Sequence, residues 1–187
     1  MYCRILQTFF SAAVAGNEMN WGEMEKEDGG NNDERALRMW QWCADHQLKV
    51  RGHCIFWGTD GRMSAWMSEI PAEQLEARMK ARLSHVTEIF DGRITEWDLN
   101  NEMMHKDVFA GKLGLKTGAA YFKWAIKAAP KTAFYVNEYG VLDGDGADKY
   151  VSHIKGLRAG GAKIGGIGDQ AHFSGPAPST EKIWTTL

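Results

Sequence analysis

Ile94-Thr95-Glu96-Trp97-Asp98-Leu99-Asn100-Asn101-Glu102 is a run of strand-forming residues that ends in three consecutive polar side chains. A buried strand has no reason to finish in Asn-Asn-Glu unless those groups find partners at its end. The flanking segments are helical in pattern. Upstream, Leu75, Met79, Leu83, Val86 and Phe90 trace one stripe across residues 71–90. Pro71 suits the first turn of that helix, where its missing N–H costs nothing. Downstream, residues 117–129 read as a helix stopped by Pro130, after a loop over Gly111–Gly118.

The same alternation continues in both directions. Residues 12–19, 49–57, 132–137 and 163–172 are further strand candidates, and 33–47, 147–159 and a segment from Ser179 onward are further helices. Ahead of the first strand, Ile5, Phe9 and Ala12 share one helical face. Arg4, the apolar stretch 5–14 and Ala13-Val14-Ala15 also resemble a signal peptide, but Gln7, Thr8 and Ser11 interrupt it, so no clear leader is read. Strands alternating with helices imply βαβ units and a parallel sheet. No Pro/Ser-rich linker divides residues 1–187, so the chain reads as one unit.

Composition narrows the function. The 187 residues carry 22 basic and 24 acidic side chains, a formal charge of −2, with no basic stripe to displace counterions from phosphates. No nucleic-acid partner is expected. No run of 18 apolar residues occurs, so no membrane partner is expected either. Cys3, Cys43 and Cys54 lack CxxC spacing and read as plain thiols, with a Cys43–Cys54 bridge left open.

The strand ends carry the functional signal. Asn17, His53, Glu102, Asn137 and Gln170 follow successive strands at spacings of 36, 49, 35 and 33 residues, enough for one βα unit each. In a parallel sheet these ends share one face, where α/β proteins build their sites. Each polar residue alone could merely cap its strand, but five in succession point to a shared site. Amides, imidazoles, a carboxylate and indoles suit sugar hydroxyls and pyranose faces. Glu102 is the natural general acid/base, Trp57 the residue expected to stack on sugar and Trp66 a weaker candidate. The remaining Trp residues read mostly as core or interface. Gly165-Gly166-Ile167-Gly168 lacks the third glycine of a dinucleotide loop. His53, His105 and His172 lack the HxH or HExxH spacing of a metal site, and His105 reads as a loop residue near the site. No metal and no cofactor are expected.

These residues resemble glycoside hydrolase family 10, the retaining endo-β-1,4-xylanases. Val50-Arg51-Gly52-His53-Cys54-Ile55-Phe56-Trp57 resembles the family's third-strand segment and Trp97-Asp98-Leu99-Asn100-Asn101-Glu102 its fourth-strand signature. Asn137-Glu138-Tyr139 resembles its fifth-strand Asn-Asp-Tyr, and Gly166-Ile167-Gly168-Asp169-Gln170-Ala171-His172 its sixth-strand segment. The resemblance implies an α/β fold, a partial (β/α)8 TIM barrel with about five βα units, running over residues 1–187. It implies Glu102 as acid/base and Asn101 as the amide on the sugar 2-hydroxyl. His53 and Trp57 would line the proximal sugar pocket, Asn17 would serve the next sugar, and Gln170 and His172 would orient the nucleophile. Asn137 and Tyr139 would support these from behind.

The chain departs from the pattern at Asn20, where a substrate-binding Lys is usual, and at Gly16, Gly58 and Asp169. The family nucleophile, a Glu in Thr-Glu-Leu/Phe-Asp on the seventh strand, has no counterpart, and Glu138 and Asp169 align with positions the family does not use for it. The first, seventh and eighth strands are likewise expected to be absent. The implied substrate is xylan or a related β-1,4-glycan, and the implied location is extracellular. The rival expectation is a non-catalytic carbohydrate-binding barrel. Open sheet edges would further invite self-association.

Overall fold

The computed structural model describes residues 2–142, 146–173 and 175–186. In chain order its elements are α1 (Tyr2–Phe9), β1 (Ala12–Val14), α2 (Trp21–Met24), α3 (Glu34–Asp45), β2 (Lys49–Arg51), α4 (Ala65–Glu69) and α5 (Ala72–Ile89). There follow β3 (Glu96–Asn101), α6 (Val108–Lys112), α7 (Ala119–Ala128), β4 (Ala133–Glu138), α8 (Gly146–Ala159), β5 (Gly166–Asp169) and α9 (Thr180–Thr186).

Every strand pairing is parallel. β1 lies beside β2 with Ala13 opposite Val50, and β4 sits between β3 and β5, with Trp97 opposite Phe134 and Val136 opposite Ile167. Two bridges, Gly52 to Trp97 and Phe56 to Asn100, join β2 to β3 and put the five strands side by side in chain order. Among the described residues β1 and β5 have no strand on their outer sides. The sheet is an open part of a (β/α)8 barrel. Val14 and Ile167, on those two edge strands, are exposed.

The strands are shorter than their sequence patterns. Residues 12–19 pair only to Val14 before the chain turns toward α2, and residues 49–57 pair regularly only to Arg51. At Gly52 the backbone crosses the Trp97 ring so closely that a Cβ would sit 2.2 Å from Cε3, which a side chain cannot satisfy. Beyond it the segment is held by Ile55 and Phe56 N–H bonds to the carbonyls of Asp98 and Leu99 (3.0 and 2.9 Å). Residues 163–172 contribute only Gly166–Asp169. The helices follow their stripes, although Pro71 stands at the cap one residue before α5 and α6 takes up the start of the expected Gly111–Gly118 loop.

The core fills the space between sheet and helices. The α5 stripe of Leu75, Met79, Leu83, Val86 and Phe90 is buried against Trp97 and Leu99 from β3, with Phe56, Tyr121 and Phe122 beside them. Each such side chain contributes on the order of 1.5–3 kcal/mol by leaving water. Arg82, also on α5, is buried in this layer. It donates Nη2–H to the Met19 carbonyl (2.6 Å) and so ties the turn after β1 to the core. Burial pulls its guanidinium down to about 10, against the raising pull of Cys54, Glu25 and Asp33. Cys3 is an exposed free thiol, and Cys43 and Cys54 are buried free thiols with no bridge between them. No helix among the described residues is long and apolar enough to cross a membrane.

Candidate active site

The site is assembled around an irregularity in β3. Pairing with β4 slips between Asp98 and Asn100, so Leu99 is an extra residue in the ladder. In an unbroken strand Asp98 and Asn101, three apart, would face opposite ways. The bulge re-aims the chain, and both side chains reach the same cluster of strand-end groups. Asn100 instead donates to Asp107 Oδ2 (2.9 Å), which caps α6. Asp107 is half-buried and its carboxyl is raised by that desolvation, although the amides of Ala110 and Phe109, the Tyr121 hydroxyl and Asn100 oppose the rise.

Glu102 follows with φ at +62°, in the left-handed region that costs a non-glycine residue about 1–2 kcal/mol. Its amide donates to the Asn137 carbonyl (3.0 Å), and its own carbonyl accepts from His105 N–H (3.1 Å). The carboxylate that results is met from three strand ends. Trp57 donates Nε1–H to Oε2 (2.9 Å), Gln170 donates to Oε1 (3.0 Å), and Asn101 donates to Oε1 (3.1 Å). Asn101, fully buried, accepts in turn from Asn137 Nδ2 (2.7 Å). Four of the predicted residues therefore converge on the fifth.

His53 belongs to a second arm. Its Nδ1 lies 2.8 Å from Asp98 Oδ2, and since a carboxylate only accepts, Nδ1 carries the proton and Nε2 stays open. Asp98 also takes Arg51, whose Nε donates to Oδ1 (2.9 Å) and whose guanidinium sits 4.0 Å from the Tyr135 ring centre. Gly168 is needed beside this pair: a Cβ there would lie 2.5 Å from Arg51 Nη2 and 2.6 Å from Asn137 Oδ1. A concavity of about 360 Å³ opens over this arm, lined by His53, Asp98, Asp169, Gln170 and His172. A larger hollow of about 500 Å³ lies beside Pro130 and Thr132, at the start of β4, and holds none of the predicted residues.

The remaining predictions fall less centrally. His172 is an exposed wall of the concavity and makes no contact with Glu102. Tyr139 stacks on His105 (3.9 Å between ring centres, 7° between planes) and does not reach Glu102. Asn17 is exposed and lines a separate pocket with Asn20. Trp66 gives its Nε1–H to the Glu25 carbonyl (3.2 Å), and Trp184 is exposed rather than in the core.

Sequence reading missed Asp98 and Arg51, which stand inside the quoted motifs but whose partnership with His53 depends on the bulge. It also missed the state of Glu138. That side chain is buried at the end of β4, and its carboxyl is raised to about 7 by burial first and by the charge of Glu102, against the Met104 amide that hydrogen-bonds it. No cluster of three His, Cys, Asp or Glu side chains that could hold a metal occurs among the described residues.

A parallel α/β sheet that gathers carboxylate, amides and indole at its C-terminal strand ends is a segment of a (β/α)8-barrel protein, with the candidate site on the face where that fold places its sites. The comparisons give the family. Residues 1–187 match the model of glycosyl hydrolase family 10, and the chain belongs to that family. Endo-1,4-beta-xylanase 3 of Arabidopsis thaliana is 35% identical over 171 residues, covering 89% of this chain and 23% of that protein. Anti-sigma-I factor RsgI6 of Acetivibrio thermocellus is 30% identical over 172 residues, covering 92% of this chain and 22% of that protein. The solved endo-1,4-beta-xylanase XylE of Penicillium canescens superposes with a TM-score of 0.86 at 24% identity, covering 99% of this chain and 59% of that one. The chain thus spans under a quarter of these two sequence relatives and about three fifths of the solved barrel.

Proposed function

We propose that this chain carries the acid/base half of an endo-β-1,4-xylanase site that cleaves with retention of configuration. The observation that supports it most is the Glu102 carboxylate, aimed from a left-handed backbone into donors from Trp57, Asn101 and Gln170. In this reading Glu102 delivers a proton to the leaving glycosidic oxygen, then takes one from water as the glycosyl-enzyme is hydrolysed. Asn101 holds the sugar 2-hydroxyl, where bonds tighten in the transition state. His53, oriented by Asp98, and Trp57 line the proximal sugar pocket, and Asn17 meets the next sugar. Gln170 and His172 orient the nucleophile, with Asn137 and Tyr139 behind them.

Retention requires a second carboxyl about 5–5.5 Å from the first. Glu138 and Asp169 are turned to backbone amides instead, those of Met104 (2.7 Å) and Ala171 (3.1 Å). The nucleophile in this reading comes from protein outside residues 1–187. The xylan substrate follows the name of the Arabidopsis relative, and the lack of a second carboxyl turned toward Glu102 among the described residues favours a second reading in which the same cleft binds a β-glycan without cutting it. The exposed edges at Val14 and Ile167 support pairing with a second copy, which a monomer by light scattering refutes.

The test is Glu102→Gln in the complete protein. Xylan hydrolysis is expected to fall 10²- to 10⁴-fold, the usual worth of a positioned acid/base. A dinitrophenyl xylobioside, whose leaving group needs no proton, should keep its glycosylation burst. Undiminished xylan hydrolysis refutes the role. A covalent adduct with a 2-fluoro-xylobioside, read by intact mass, refutes the binding-only reading.

A further inference from the structure

The loop between β2 and α4 brings a cation to the rim of the site. Arg62 lies with its guanidinium carbon 4.5 Å from the Trp57 ring centre, the same indole whose N–H is bonded to Glu102. One face of Trp57, expected to be open to sugar, is therefore held by a charged group. The loop is tied down at its start and runs through a turn into the first turn of α4. Val108 N–H donates to the Gly58 carbonyl (2.9 Å), Gly61 takes a φ of +75°, and Met67 N–H donates to the Ser64 carbonyl (3.0 Å).

Arg62 also lines a pocket of about 240 Å³ with Asn17, Asn20, Glu23, Lys26 and Ser64. The charges of this pocket do not cancel. Glu23 is claimed by Lys26 (2.7 Å) and by Arg35 (3.6 Å), and Asp60, the acid closest to Arg62 in the loop, is drawn away to Lys106. Arg62 has no carboxylate within ion-pair distance among the described residues. The pocket shares a wall with the His53 segment, because Asn20 Oδ1 accepts from the Cys54 N–H (3.2 Å) and Asn20 Nδ2 donates to Asn17 Oδ1 (3.2 Å). A glycan lying over Glu102 and His53 brings its next residues, or a branch on them, to this pocket.

We propose that this pocket receives a carboxylate-bearing substituent, a uronic acid branch on the xylan chain, and that Arg62 is the residue that selects it. The amides of Asn17 and Asn20 suit neutral hydroxyls, whereas an unpaired planar guanidinium suits the two oxygens of a carboxylate. Stacking on Trp57 fixes the plane of the guanidinium before the ligand arrives, so less freedom is lost on binding. The inference rests on the proposed xylan reading and narrows its substrate to acidic xylans.

Affinity electrophoresis of the full chain tests it, with gels containing glucuronoxylan, the same polymer after reduction of its carboxyls to alcohols, or polygalacturonate. The unaltered chain is expected to bind glucuronoxylan about fivefold to tenfold more tightly than the reduced polymer, with the difference shrinking as salt is raised. Arg62→Met should bring the two polymers within twofold of each other, and Arg62→Lys should keep part of the difference. Arg62 is exposed, so neither change threatens the fold. Equal binding of both xylans, discrimination unchanged in Arg62→Met, or equally strong retention on polygalacturonate would each overturn the proposal and leave the xylan reading standing. Binding to neither xylan overturns both.

Discussion

Glu102 and Glu138 end neighbouring strands, and the sheet treats them oppositely. Glu102 is half-buried and receives three side-chain donors. Glu138 is buried and receives one backbone donor, the Met104 amide, while its Oε2 has no hydrogen bond and only His105 Nε2 at 3.5 Å. Burial without donors disfavours the ionised form, which explains why the Glu138 carboxyl rises to about 7 with help from the charge of Glu102. The residue type is the same. The side-chain donors make the difference: Asn101 from the same strand end, and Trp57 and Gln170 from other strand ends, have no counterpart around Glu138.

The contrast can be broken from either side. The largest effect is expected from Asn101→Leu, which removes a donor to Glu102 and leaves the Asn137 amide without its acceptor in a fully buried place. Stability should drop by about 2–4 kcal/mol, read as a melting point lower by several degrees in calorimetry. An unchanged melting point would mean that water replaces the amide and that the network is not held by Asn101.

Glu138→Gln comes next and sharpens the other side. The folded chain keeps the Glu138 proton up to about pH 7, while the unfolded chain releases it near the ordinary glutamate value of 4.5. The fold binds more protons than the unfolded chain across that window, so stability falls as pH rises through it. Urea denaturation between pH 4.5 and 7 should show the unaltered chain losing on the order of 2–3 kcal/mol that the glutamine variant does not lose. Parallel pH profiles would show that Glu138 ionises freely. Trp57→Phe should have the smallest effect, about 1 kcal/mol for one hydrogen bond with the ring largely kept. A loss much larger than that would place the weight of Trp57 in its packing against Arg62 and His53 rather than in its N–H.

Much of this was legible in the sequence because the relevant signals are periodic. The α5 stripe and the recurrence of polar residues after each strand are both regular in spacing, and they located the helices, the parallel order and the face on which Glu102, Asn101, Trp57 and Gln170 meet. What escaped were departures from regularity. The slip at Leu99 decides that Asp98 serves His53, and no composition or period announces a bulge. The shortness of β1 and β2 comes from the turn after Val14 and from the crossing of Gly52 over Trp97, both matters of packing. Glu138 looked like any strand-end carboxylate, since its missing partner is visible only in space. Arg62 sat in a loop with no pattern around it.

The backbone at Glu102 has a consequence for how such barrels diverge. At a φ of +62° glycine is free of strain, and asparagine tolerates the geometry better than most side chains. On the proposed acid/base role of Glu102, drift at this position runs downhill toward residues that cannot move a proton. Relatives that have become sensors or binders are expected to show Gly or Asn here, and those still under selection for cleavage to show Glu. One backbone angle thus gives a way to sort a family's lineages by what its members still do.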